Sequence, residues 1–142
     1  MEEKETAMLK LENISVTLGK GSPLEKQVLK NLNLNIKKGE FIIIVGGNGA
    51  GKSTMFNTIS GAIFPDKGKI ILDRKDITKT SQTKRAAAIA TVLQNPKIGT
   101  MGNMTIFENL AFAYKRGLKR RLFPYTNKYY RNLFYNKIKL LE

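Results

Sequence analysis

The feature that most constrains the fold of this chain is a glycine-rich segment, Gly46-Gly47-Asn48-Gly49-Ala50-Gly51-Lys52-Ser53-Thr54. It matches the pattern of a phosphate-binding loop, in which a glycine and four further residues precede Gly-Lys-Ser/Thr. The apolar run at residues 41–45 comes before it, and Met55, Phe56 and Ile59 follow at helical spacing. A strand, a glycine loop and a helix in this order form the context in which the pattern is meaningful. The sequence therefore predicts an α/β fold built around a nucleotide-binding loop.

The residue types of this loop suit a bound triphosphate. Glycines permit a wide turn whose N–H groups point at phosphate oxygens, and the helix that follows adds the positive end of its dipole. Lys52 is long enough to reach the terminal phosphates, and the hydroxyl of Ser53 is an oxygen ligand of the kind that Mg²⁺ prefers. We expect nucleotide binding here rather than a purely structural glycine turn.

The composition excludes several kinds of chemistry. The 142 residues include no Cys and no His, so a disulfide framework, a zinc knuckle, a thiol nucleophile and a histidine base are all ruled out. The apolar run at residues 41–45 is far shorter than the ~20 residues that cross a bilayer, so we expect no membrane span. The acidic start of the chain is unlike a secretory signal, and a cytoplasmic location is expected.

The net charge of +14 is concentrated toward the C-terminal end. Residues 115–142 contain 9 Lys and Arg against 1 Glu. Such a stretch can attract a nucleic acid, an anionic membrane surface or an acidic protein, or it can simply be a solvated helix face. We favour the solvated face or a partner contact, and expect no specific nucleic acid, because no nucleic-acid motif accompanies the charge.

Alternating apolar residues predict an antiparallel β-subdomain near the N-terminus. Leu9 and Leu11 alternate with polar residues, and so do Ile14 and the apolar residues after it. The phase of this alternation shifts at residues 12–13, which indicates a strand with a bulge. A second strand is predicted around Leu34. Residues 41–45 do not alternate, which is typical of a strand buried on both faces, central in a parallel sheet.

Further elements are predicted downstream. A turn over residues 65–68, a strand over 69–73, a short helix over 81–88 and a buried strand over 89–93 follow in order. Thr105 and Glu108 have the spacing of a capping box, which predicts a helix from Ile106 that the charged residues 115–121 interrupt. A last helix is predicted from the spacing of Tyr130, Leu133, Phe134, Ile138 and Leu141.

These residues resemble the ATP-binding subunits of ABC transporters. The resemblance lies in the Lys37-Lys38-Gly39-Glu40 turn, the glycine loop, the segment from Pro65 to Ile70, and Gln94 after a predicted strand. It implies a P-loop NTPase with a RecA-like core, an N-terminal antiparallel β-subdomain and an incomplete helical subdomain. The implied organisation is a tail at residues 1–8 and a partial domain at 9–142, divided into 9–95 and 96–142. Residues 46–48, 97–103 and the basic stretch after Tyr114 look most like ATPases of amino-acid-type import systems.

The resemblance also implies the ligands, the roles of the site residues and the partners. ATP and Mg²⁺ would be bound by residues 46–54, with Ser53 and Gln94 at the metal, and Lys52 and Gln94 would take part in catalysis. Leu18 stands where the family has an aromatic residue that stacks on adenine. The implied partners are a transmembrane subunit and a second ATP-binding subunit, at the inner face of the cell membrane.

Some parts of the family pattern are missing from these 142 residues. The sequence contains no Ser-Gly-Gly signature, no apolar strand that ends in Asp-Glu and no switch His. Ile70-Ile71-Leu72-Asp73 imitates such a strand, but Arg74 follows it and a hairpin is expected there. We therefore expect an N-terminal part of an ABC ATPase that is catalytically incomplete alone. The alternatives are a non-catalytic module that binds a nucleotide or polyanion, and a non-functional truncated remnant.

Overall fold

The computed structural model describes residues 7–117 and 127–140. The chain forms two compact units, one that ends at Arg85 and one that begins at Ala86. Of the predicted N-terminal tail, residues 1–6 lie outside the described residues, and the first strand already begins at Ala7. Residues 118–126, Leu141 and Glu142 are likewise outside them.

The first unit is built on an antiparallel sheet of four strands. The strands are β1 (Ala7–Leu18), β2 (Lys26–Lys37), β3 (Lys67–Leu72) and β4 (Lys75–Asp76), in the order β2-β1-β3-β4. β1 pairs with β2 on one side and with β3 on the other. The predicted antiparallel β-subdomain is confirmed.

A bulge in β1 lies where the phase of its apolar residues changes. The register with β2 shifts between Leu11 and Ile14, and Asn13 adopts a left-handed conformation with φ 51°. The N–H of Asn13 leaves the ladder and donates to Oδ1 of Asn33 at 2.9 Å. The extra residue lets Leu11 and Ile14 both point into the core, because a bulge restores the inward phase of a strand.

The core of the first unit lies between the sheet and α1 (Lys52–Ser60). Its buried side chains are Leu11, Ile14, Val16, Leu29, Met55 and Ile70. Ile59 packs against this cluster as predicted, but Phe56 is largely exposed. Successive helical residues are about 100° apart, so Met55 and Phe56 cannot both face the sheet fully.

The strand predicted over residues 41–45 is not formed. Phe41 and Val45 are each 89% exposed, and only Ile44 of this run packs against the core. A strand buried on both faces needs a hydrogen-bonding neighbour on each side, and among the described residues no strand pairs with this segment. The prediction of a central strand in a parallel sheet is therefore wrong for this structure.

A two-residue hairpin joins β3 and β4. Asp73 and Arg74 connect Leu72 to its partner Lys75, and both have positive φ, 46° and 64°. This conformation is favoured in tight hairpins because its twist matches that of the strands. The hairpin interpretation of residues 70–73 is confirmed, whereas the turn predicted over 65–68 is wrong at its end, because β3 already begins at Lys67.

The second predicted buried strand, over residues 89–93, is also absent. The helix predicted over 81–88 is shorter, α2 (Gln82–Arg85), and the chain then continues without regular structure. Val92 is 97% exposed. The cause is the same as at residues 41–45, since within the described residues no strand pairs with the run.

Three helices make up the regular structure that is described in the second unit. They are α3 (Pro96–Gly99), α4 (Ile106–Tyr114) and α5 (Lys128–Lys139). The predicted capping box is confirmed: Glu108 N donates to Thr105 Oγ1 at 3.2 Å, and Thr105 N donates to Oε2 of Glu108 at 2.8 Å. These backbone and hydroxyl donors hold the pKa of Glu108 below its ordinary value.

Aromatic side chains hold α4 and α5 together. The ring of Phe134 lies 5.3 Å from that of Phe107 and 5.7 Å from that of Tyr114, edge to face in both pairs. The last helix predicted from the spacing of apolar residues is confirmed as α5; Phe134 is buried, whereas Ile138 is 39% exposed. Such pairs add about 0.5–1.5 kcal/mol beyond the burial of their area. Among the described residues, no helix has the length and apolar character needed to cross a membrane.

Substitutions of two valines test whether residues 41–45 lack a strand partner. Val16 is 1% exposed and Val45 is 89% exposed. We expect Val16→Ala to lower the free energy of unfolding by about 1–3 kcal/mol, and Val45→Ala to change it by less than about 0.5 kcal/mol. Chemical denaturation of both variants measures this difference. Equal losses would mean that Val45 is buried in a sheet, as the sequence pattern predicts.

Candidate functional site

The glycine loop connects residues 41–45 to the N-terminus of α1. Gly49 and Gly51 have φ of 80° and 89°, a conformation that side-chain-bearing residues rarely adopt. Gly51 is also packed closely, because a Cβ there would lie 3.0 Å from Cδ2 of Leu29 and 3.2 Å from Cγ1 of Val28. The lack of a side chain at Gly51 thus lets the start of α1 approach β2.

The side chain of Lys52 folds back over this loop. Its Nζ donates to the carbonyl oxygen of Gly46 and, at 2.8 Å, to that of Gly47. Residues 46–50 of the loop are exposed to solvent, whereas Gly51 is buried. The ammonium group is therefore held at the mouth of the glycine loop by two neutral carbonyl groups, with no carboxylate in these contacts.

The N-terminus of α1 lacks the side chains that usually accept from the first N–H groups of a helix and compensate the positive end of its dipole. The cap residue is Gly51, which has no side chain to accept a hydrogen bond, and the first turn contains no acidic residue. The first N–H groups of a helix have no intrahelical acceptor, and they carry the positive end of its dipole. An anion of the size of a phosphate group suits this end of the helix.

The two hydroxyl residues that follow Lys52 differ in their surroundings. Ser53 is exposed, so its hydroxyl is accessible to a ligand or a metal ion. Thr54 is buried, and its carbonyl oxygen accepts a 2.7 Å hydrogen bond from Oγ1 of Thr58. Thr54 thereby contributes to the packing of α1, and Ser53 is the hydroxyl that faces solvent.

Arg85 fixes the other end of α1, a role that no local sequence pattern indicates. Its guanidinium donates to the carbonyl oxygens of Thr58 at 2.7 Å and Ile59 at 2.9 Å, and to those of Thr78 and Thr80 at 2.9 Å each. Arg85 is 2% exposed, and this burial lowers its pKa from the ordinary value, against a raising effect of Asp76. The cation satisfies orphan carbonyls at the C-terminus of the helix whose N-terminus carries the glycine loop.

The remaining predicted site residues lie elsewhere in the chain. Leu18 ends β1, pairs with Lys26 of β2 and is 37% exposed. Gln94 is an exposed residue of the second unit and precedes Asn95, whose Oδ1 accepts from the N–H of Lys97 at the start of α3. Residues 97–103 are all exposed. The structure therefore brings residues 46–54 together in one site and describes Gln94 within a different unit.

A glycine loop that enters a helix, with a lysine at the first helical position, defines the P-loop class of nucleotide-binding proteins. Comparison with known proteins agrees with this class. The family model described as ABC transporter matches residues 29–139, and the chain belongs to this family.

Individual relatives give the same result. The chain is 39% identical over 124 residues to a tyrosine transport ATP-binding protein of Clostridioides difficile, a match that covers 84% of this chain and 49% of that protein. It is 40% identical over 109 residues to an energy-coupling factor transporter ATP-binding protein of Methanosarcina acetivorans, covering 75% and 37%.

Solved structures confirm the α/β fold of P-loop NTPases. A dimeric ATP-binding cassette in a post-hydrolysis state, bound to ADP and Pi, matches with a TM-score of 0.74 and 30% identity, over 93% of this chain and 56% of that one. An ATP-binding cassette of another ABC transporter matches with a TM-score of 0.75 and 25% identity, over 96% and 54%. The chain thus spans between 37% and 56% of the length of these relatives and structures.

Arg85 and its neighbour Lys84 test the anchor at the end of α1. Arg85→Met should lower the free energy of unfolding by about 3 kcal/mol, because it leaves four carbonyl groups without their donor. Lys84→Met removes a charge from an exposed position of α2, the helix that contains Arg85. It should change the free energy of unfolding by less than about 0.5 kcal/mol. Thermal and urea denaturation distinguish the two. Similar values for both variants would contradict the anchoring role.

Proposed function

We propose that this chain binds Mg-ATP at residues 46–54 and serves as an ATP-binding component of an ABC transporter. The observation that supports this most directly is the position of the Lys52 ammonium over a glycine loop, at a helix N-terminus without acidic residues. A triphosphate would meet a cation, free N–H groups and a helix dipole at this one place.

The proposed roles follow from the chemistry of each side chain. Lys52 would leave the carbonyl oxygens of Gly46 and Gly47 to contact the terminal phosphates, and the exposed hydroxyl of Ser53 would bind Mg²⁺. Gln94 would supply an uncharged oxygen to the metal or to a water molecule. Bound ATP contributes the phosphoanhydride whose cleavage drives transport, and Lys52 would stabilise the charge on its terminal phosphate.

The names of the relatives support a role in transport. One relative is a tyrosine transport ATP-binding protein and another belongs to an energy-coupling factor transporter, while one similar structure is a dimer. We propose by analogy that this chain acts at the inner face of the cell membrane, with a transmembrane subunit and a second ATP-binding subunit. An amino acid is the proposed class of solute.

Hydrolysis is proposed to require more than these residues. Phosphoryl transfer depends on a metal held from two sides and a positioned water molecule, in addition to charge neutralisation at the terminal phosphate. Lys52, Ser53 and Gln94 could supply part of this set, but the 142 residues contain no His and no Asp-Glu pair. We propose that the chain contributes nucleotide binding, and that turnover needs groups beyond these.

Lys52→Ala tests the binding site directly. We expect it to abolish most Mg-ATP binding in isothermal titration, because it removes the ammonium group that lies at the mouth of the glycine loop. Lys38→Ala changes an exposed lysine before this loop and should leave the affinity unaltered. If Lys52→Ala binds ATP as well as the unmodified chain does, residues 46–54 are not the site, and binding by the basic C-terminal region becomes the explanation.

The expected selectivity between ATP and GTP depends on Leu18. If Leu18 contacts the base without an aromatic ring, ATP and GTP should bind with similar affinity. Leu18→Tyr should then favour ATP by about 1 kcal/mol, roughly fivefold, through stacking. Leu140→Tyr introduces the same side chain at a position of the second unit that is 84% exposed, and should have no effect. A marked preference of the unmodified chain for ATP would contradict this role of Leu18.

A further inference from the structure

Asn48, in the glycine loop, is the one asparagine of the 142-residue sequence that precedes a glycine. Asparagine is chemically labile, because the backbone nitrogen of the next residue can attack the amide carbon of its side chain. A side chain on that next residue hinders the approach, whereas glycine leaves the backbone free to turn. The other asparagines precede larger residues, such as Ile14, Thr58 and Met104. The sequence therefore singles out Asn48 for this reaction.

The structure places Asn48 and Gly49 at the centre of an exposed β-turn. The N–H of Ala50 donates to the carbonyl oxygen of Gly47 at 3.3 Å, and φ of Gly49 is 80°, positive as a type II turn requires. Among the described residues, no group accepts a hydrogen bond from the N–H of Gly49, and a Cβ at this residue would meet nothing within 4 Å. The attacking nitrogen is therefore unprotected, and the turn has room to rearrange.

Two other exposed asparagines lack this arrangement. Asn57 lies within α1, where the helix fixes the backbone, and it precedes the buried Thr58. Asn103 lies outside the helices, but the N–H of Met104 after it donates to the carbonyl oxygen of Met101 at 2.9 Å. Exposure alone therefore does not distinguish these asparagines from the one in the glycine loop. The following glycine and its unbonded N–H do.

We propose that Asn48 deamidates spontaneously, with water as the co-reactant. The nitrogen of Gly49 forms a bond to Cγ of Asn48, the Cγ–Nδ2 bond breaks, and ammonia leaves with the proton of the Gly49 N–H. Water then opens the resulting cyclic imide, because one bond from the Gly49 nitrogen to a carbonyl carbon breaks, that carbon gains the hydroxyl group and the nitrogen regains a proton. Cleavage of the bond to Cγ leaves aspartate, and cleavage of the bond to the backbone carbon leaves isoaspartate.

The product carries a negative charge within the glycine loop. Its consequence for affinity rests on the proposed binding of Mg-ATP. The new carboxylate would compete with the phosphates for the ammonium group of Lys52 and for the N-terminus of α1, and it would repel the triphosphate. Isoaspartate also lengthens the main chain of the loop by a carbon atom, which changes the spacing of its N–H groups. Deamidation would therefore convert an anion-binding loop into one that disfavours anions as the protein ages.

Mass spectrometry of the full chain tests the modification without any nucleotide. The chain is incubated for days in mildly alkaline buffer made with heavy-oxygen water, in which hydroxide promotes removal of the N–H proton, and is then digested and mapped. We expect the peptide that contains Asn48 to lose its side-chain amide and gain a heavy oxygen, as a mixture of aspartate and isoaspartate. The peptides that contain Asn57 and Asn103 are internal controls and should remain intact. Asn48→Gln keeps an exposed amide but would have to form a larger ring, so its peptide should also remain intact.

Isothermal titration tests the consequence for binding. Asn48→Asp should bind Mg-ATP on the order of tenfold more weakly than Asn48→Gln, because the two variants differ in charge at the loop. Asn103→Asp lowers the net charge by the same amount at an exposed position of the second unit, and should leave the affinity unaltered. Equal affinity of the two Asn48 variants would overturn the inhibitory effect.

The two readouts separate this inference from the proposed function. An intact Asn48, or conversion of Asn57 and Asn103 at the same rate, would overturn the deamidation whether or not the chain binds ATP. If the unmodified chain fails to bind Mg-ATP, the proposed function and the inhibitory effect are both wrong, and the mass measurement still decides the modification.

Discussion

The buried guanidinium of Arg85 is the interaction on which the rest of the first unit depends. Four backbone carbonyl oxygens accept from it, two at the end of α1 and two in the segment after β4. At the other end of α1, Gly51 fits closely against Val28 and Leu29 of β2. The helix is thereby fixed at both ends. Contacts that no ligand would touch therefore determine the geometry of the proposed site.

The proposed role of Lys52 requires its ammonium group to change partners while α1 stays in place. Its ammonium interacts with neutral carbonyl oxygens of Gly46 and Gly47, and residues 46–50 are exposed to water. Hydrogen bonds from a cation to a phosphate oxygen are stronger than those to a neutral carbonyl. The lysine would therefore exchange these partners for a phosphate at little cost, while α1 and the sheet stay in place.

Local patterns predicted the elements whose stability is local. The capping box of Thr105 and Glu108 depends on residues three apart in sequence, and it is present. The bulge at Asn13 is also present, and the change of phase along β1 predicted it although its N–H bonds to Asn33 of β2. The strands predicted over residues 41–45 and 89–93 failed because a strand exists only through its neighbours. Arg85 was missed for a related reason, since the carbonyl groups that bury its charge come together only in the fold. The pattern of residues 46–54 predicted where the candidate site lies, and the roles of its members remain proposals.

The exposed run at residues 41–45 has a consequence for the behaviour of the protein in solution. Phe-Ile-Ile-Ile-Val is uncharged, rich in β-branched residues and free of proline, and its backbone is not paired with any described strand. Such a segment is a template for edge-to-edge association between copies. The net charge of +14 opposes this association by mutual repulsion, which ions screen. Colloidal stability therefore depends on ionic strength. Concentrated salt would favour aggregation through residues 41–45, the segment that precedes the glycine loop.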